Sequence, residues 1–89
     1  MAKSLKDKVT EALLEAAGKD ATIHLDDVPP DKIGGFVLSS SFANESGVAR
    51  QDRIWDALDR HLDKHERTRI VFIVTDTPDE YEAIKKAAG

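Results

Sequence analysis

Five consecutive apolar residues, Ile70-Val71-Phe72-Ile73-Val74, lie between an amphipathic segment and Thr77-Pro78-Asp79-Glu80. A short run rich in β-branched residues and bounded by turn signals reads as a strand. Because it does not alternate, it predicts burial on both faces. The segment that follows is a helix start. Thr77 serves as N-cap, Pro78 takes the first turn, and Glu80 stands three residues on to close a capping box. Tyr81, Ile84 and Ala87 or Ala88 give the last helix its apolar side. The final third is thereby constrained to helix, strand, helix.

Upstream, Ser4 caps a helix over residues 5–17, with Leu5, Val9, Ala12, Leu13 and Ala16 on one face and Gly18 as the stop. Ile23 and Leu25 alternate with Thr22, His24 and Asp26, as in a half-buried strand that Pro29-Pro30 ends. Gly34-Gly35 opens a second strand over 36–42, with Phe36, Leu38 and Phe42 sharing a face. Residues 43–48 read as an exposed loop. One helix is predicted over residues 49–65, turning Ile54, Leu58 and Leu62 inward with Trp55 beside them.

The order α-β-β-α-β-α predicts an α+β domain: a mixed three-stranded sheet with helices packed on one face. Residues 1–89 form a single domain with short flexible ends at 1–3 and 88–89. The absence of cysteine removes disulfides, thiolate nucleophiles and cysteine-ligated metal from this chain. No apolar run reaches bilayer length and no signal peptide is visible, so a cytoplasmic, non-membrane protein is expected. The net charge of −4 and pI near 5.3 disfavour a dedicated nucleic-acid binder, whose affinity comes largely from neutralising phosphate.

Candidate chemistry is sparse. His61 and His65 stand four apart on the predicted helix and could share a metal, with His24 as a third ligand; a polar helix edge complementing the dipole is the plainer reading. No His-Glu-x-x-His pattern supports a metal. Residues 49–69 carry Arg50, Arg53, Arg60, Lys64, Arg67 and Arg69 interleaved with Asp52, Asp56, Asp59, Asp63 and Glu66, which reads as a helix laced with ion pairs. Arg50 and Arg53 could instead hold phosphate beside free helix amides. Ser39, Ser40 and Ser41 lack a nucleophile elbow, so no catalytic residue and no enzyme activity are expected. Phe42, Asn44 and Val48 flank the loop and, with Trp55, could form a partner-binding patch.

Several of these patterns resemble the BolA family in the same order: Ser39-Ser40-Ser41-Phe42, then Gln51-Asp52-Arg53-Ile54-Trp55 with Leu58, then the last strand, then Thr77-Pro78-Asp79-Glu80-Tyr81. The resemblance implies a fold like the type II KH arrangement. It also implies a monothiol glutaredoxin as candidate partner, through shared iron–sulfur binding. Two departures bear on that role. The family's Arg-His-Arg motif has its histidine where Asp52 stands, and the histidine preceding the last strand is replaced by Arg69. A guanidinium stays protonated and is a very poor metal ligand. No cofactor is expected. The reading is a stress-related regulatory adaptor acting through protein–protein interaction. The alternative is a KH-like nucleic-acid binder using Arg50, Arg53, Arg67 and Arg69, although the clamping Gly-x-x-Gly loop is missing. A weaker alternative is iron–sulfur handling with a glutaredoxin.

Overall fold

A computed structural model describes residues 3–88, with Ala88 described by its backbone alone. The elements are α1 (Leu5–Ala17), β1 (Thr22–Val28), β2 (Lys32–Leu38), a 3-10 turn (Ser40–Phe42), α2 (Gly47–His61), α3 (Lys64–Thr68), β3 (Ile70–Asp76) and α4 (Pro78–Ala88). β1 pairs antiparallel with β2, which pairs parallel with β3, in the order β1-β2-β3. This is the expected α+β architecture with a mixed three-stranded sheet. Of the ends expected to be flexible, residues 1, 2 and 89 lie outside the described residues, while Lys3 is tied to Glu11 at 2.6 Å.

Local signals place the two long helices. Ser4 Oγ accepts from the Asp7 amide at 3.1 Å, and Gly18, at φ 101°, closes α1 by donating to the Leu14 carbonyl. Ser46 caps α2 through the Ala49 amide. Val9, Ala12 and Leu13 of α1 then meet Ile54, Ala57 and Leu58 of α2 over Ile33, Val37 and Ile73 of the sheet. Each large apolar side chain fully withdrawn there contributes roughly 1.5–3 kcal/mol.

Three expectations need correction. The helix predicted over 49–65 breaks at Leu62, whose extended backbone ends α2. Asp63 then caps α3 in a capping box with Glu66, so a new helix start wins over continuation. The second strand starts at Lys32, with Gly34 and Gly35 inside it, and ends at Leu38. Ser39 Oγ instead accepts from the Ser41 amide, starting the 3-10 turn that folds Phe42 into the core. Finally, β3 is an edge strand. Ile70, Ile73 and Thr75 are buried, but Val71, Phe72 and Val74 are each 47 % exposed.

Two α2 side chains bind the outer side of β3. Gln51 Nε2 donates to the Ile73 carbonyl at 2.7 Å, and Arg50 donates to the Thr75 carbonyl at 3.2 Å. Among the described residues α4 alone reaches the opposite face of the sheet, away from α1 and α2, where Tyr81 stacks on Phe36, so the helices do not all pack on one face as expected.

Candidate partner-binding site

That open face is a small grid. Strand register sets three rows across it: Asp26–Gly34–Phe72, His24–Phe36–Val74 and Thr22–Leu38–Asp76. Phe36 stacks on His24 on one side and on Tyr81 of α4 on the other, with centroid separations of 5.2 and 5.6 Å. The Phe72 ring leans into the space left by Gly34, inside van der Waals range of where a β-carbon would stand. A groove of about 260 Å³ remains beneath α4. Its floor is Phe36, Phe72 and Val74, Tyr81 and Ile84 form the α4 wall, and Asp26 and Asp76 line it too. Ile84 is 56 % exposed, so the wall is as uncovered as the floor.

The residues singled out from sequence gather elsewhere and do not form one surface. Phe42 is completely buried, which removes it from any exposed patch. Asn44 is exposed at φ 68°, in the turn leading to α2, and Val48 is exposed beside it. Arg53 pairs with Glu45 at 2.8 Å, donates to Ser41 Oγ and lies over the Phe42 ring. Arg67 pairs with Asp59 and covers the Trp55 ring at 4.0 Å, so Trp55 is half-buried under a cation. Arg69 donates to the Asp31 carbonyl at the opposite end of the sheet, next to where the Ile33 amide meets the Arg69 carbonyl. β2 separates this end from Ser39 and Ser41 by roughly 20 Å, judged from strand rise.

Arg50 is the most enclosed of these arginines. Only 10 % of its side chain is exposed. Its guanidinium makes a two-pronged pair with Glu80 at 2.7 and 3.0 Å and also donates to the Glu45 and Thr75 carbonyls. Glu80 accepts the Thr77 amide as well, completing the capping box read from sequence. The side chain thus makes an ion pair, as the plainer reading of this segment has it, and the pair fastens α4 to α2 and β3. Two-pronged Arg–carboxylate bonds are among the stronger polar contacts.

This fastening has a pH signature. The Arg50 guanidinium, joined by the Thr77 amide, lowers the Glu80 carboxyl from 4.5 to about 2. A depressed folded-state value makes the contribution complete above about 4.5 and progressively lost as pH falls towards 2. Glu80→Gln is therefore expected to be less stable than the parent at pH 7, with the gap closing across that window. Urea midpoints measured between pH 7 and pH 2 test this, and a gap independent of pH contradicts it.

No family model matches the chain, and no curated protein matches it significantly. Among solved structures, a bolA protein homologue from Coxiella burnetii superposes with a TM-score of 0.65 at 18 % identity, covering 92 % of this chain and 99 % of that one. The fold is BolA-like. The resemblance read from Ser39–Phe42 and Thr77–Tyr81 therefore holds at the level of architecture.

Within this BolA-like frame the donors do not suit an iron–sulfur cluster. Arg69 uses its Nε–H on the Asp31 carbonyl, and its guanidinium offers no lone pair. His24 bonds Asp26 on the open face. His61, on α2, bonds Glu15 of α1, and the helix break places His65 on a separate helix. Among the described residues no group of three His, Cys, Asp or Glu side chains is placed to hold a metal. Likewise, no described helix is long and apolar enough to cross a membrane.

Sequence reasoning missed the groove. The unbroken apolar run predicts burial of Phe72 and Val74, because an apolar strand looks the same in the middle of a sheet and at its edge. A usable signal was Gly34-Gly35 inside an apolar alternation, since paired glycines in a strand often mark a close approach.

Proposed function

We propose that this BolA-like domain is a small non-enzymatic adaptor or regulatory module that acts by binding a protein partner, and that the partner docks in the α4–sheet groove. One observation carries the reading: Phe72, Val74 and Ile84, each about half exposed, converge on one concave surface. Clustered exposed apolar residues on a small domain mark interaction sites more often than scattered ones do. The loop at 43–48 offers only Val48 as a large exposed apolar side chain, with Phe42 withdrawn and Arg50 and Arg53 engaged internally. At about 260 Å³ the groove falls below the roughly 300–1,000 Å³ usual for small-molecule pockets. That volume suits side chains presented by another chain.

The test uses crosslinking in the protein's own host, identification of the captured chain, and titration of that chain in purified form. Val74→Glu with Ile84→Glu is expected to weaken binding at least about ten-fold, whereas Val48→Glu leaves it unchanged. The reverse pattern overturns the site. Salt-sensitive binding of RNA or DNA that ignores the groove substitutions overturns the protein-binding reading itself.

A further inference from the structure

We infer that the segment accepted by this groove is a short extended stretch of partner chain, cationic at both ends and apolar between them. The inference rests on the docking reading above and adds the chemistry of the partner. Asp26 and Asp76 occupy diagonal corners of the three-row grid, on β1 and β3. Strand spacing and rise put those corners roughly 16 Å apart, the length of about five extended residues. Between them the surface is Phe36, Phe72 and Val74. An α-helix, 10–12 Å across with its side chains, is too wide for a groove of this volume.

The carboxylates decide what such a segment carries. Asp76 forms no ion pair among the described residues; the Arg50 guanidinium, which feels its charge from beyond pairing distance, is committed to Glu80. Among the described residues Asp26 is bonded only by His24, whose ring is itself stacked on Phe36. Lys85 of α4 lies 5.6 Å above the Tyr81 ring and is in no ion pair with either carboxylate. An apolar segment laid across the floor displaces water from both carboxylates, and a carboxylate deprived of water without a partner is costly. Lys or Arg at each end of the segment removes that cost, because long aliphatic stems lie on apolar surface while their charged heads reach the rim. An acidic segment meets like charge at both corners and is rejected.

Three blocked heptapeptides test the inference: Lys-Leu-Ser-Leu-Ser-Leu-Lys and its versions with Gln or Glu at both ends. Binding is read by fluorescence anisotropy, and the site by amide shifts of the isotope-labelled domain. The Lys peptide is expected to bind about ten-fold or more tightly than either alternative, with shifts at Phe36, Phe72, Val74 and Ile84. Asp26→Asn with Asp76→Asn is expected to abolish that preference. Asp52→Asn with Asp56→Asn, which removes two exposed charges from α2, preserves it. Equal binding of the Lys and Gln peptides in the groove overturns the charge inference and leaves the docking reading standing. A preference that survives the Asp26/Asp76 change, or vanishes with the Asp52/Asp56 change, reflects net charge alone and also overturns it. Absence of groove shifts with all three peptides at millimolar concentration removes the docking site as well.

Discussion

Phe42→Ala is expected to lower the unfolding free energy by about 3–5 kcal/mol, the usual range for deleting a fully buried aromatic ring. Phe42 has no exposed surface and is the largest fully buried side chain among the described residues. It lies at the end of the 3-10 turn, so its ring holds the β2-to-α2 connection against the core. It is also a platform for two cations: the Arg50 and Arg53 guanidiniums lie 5.7 and 5.2 Å from its centroid. Truncation leaves a cavity and removes the surface that aligns Arg50 with Glu80. For a domain of this size, with total stability on the order of 5–15 kcal/mol, the loss takes a large share. Urea unfolding followed by circular dichroism measures it. A loss under about 1 kcal/mol would show that the site collapses without cost and that the ring does not anchor the connection.

The second large effect separates two neighbouring glycines. A β-carbon on Gly35 meets the His24 carbonyl oxygen well inside contact distance, with Leu25 Cδ2 at 2.9 Å and Leu25 Cα at 3.1 Å. Most of these atoms are backbone of β1, which cannot turn aside without loosening the β1–β2 ladder. The three atoms nearest a β-carbon on Gly34 all belong to the Phe72 ring, whose Cδ1 lies 2.7 Å away. That ring sits at a half-exposed position and can rotate out. Gly35→Ala is therefore expected to cost about 1–3 kcal/mol, as overpacking does. Gly34→Ala costs less and shows its effect in the groove, as shifted Phe72 resonances. Paired stability and amide-exchange measurements check this, and a larger loss for Gly34→Ala contradicts the assignment of the rigid neighbour.

Much of the frame was legible because it is local. The Ser4 cap, the Gly18 stop, the alternation of Ile23 and Leu25 and the Thr77–Glu80 capping box each act within a few residues, and each stands where it was read. The break at Leu62 was legible too: Asp63 and Glu66 have capping-box spacing, but the helical stripe of Ile54, Leu58 and Leu62 masked it. The site was less legible, because it depends on partners far apart in the chain. An arginine at a helix start looks free until Glu80, thirty residues on, is folded against it. Exposure of Phe72 and Val74 depends on β3 taking the edge and on how little of the open face α4 covers. Neither fact is written in the pattern of the strand itself.

The bonds from Gln51 and Arg50 to the Ile73 and Thr75 carbonyls have a consequence for the molecule in a crowded solution. A bare strand edge is a template on which a second chain can extend the sheet, the first step towards aggregation. Here two of the acceptors that such a chain would need are already occupied by side chains from α2. The apolar strand thus keeps an exposed face while two acceptors along its free edge are already taken. Gln51→Ala, which unmasks the Ile73 carbonyl, would reopen that route to self-association without touching the groove.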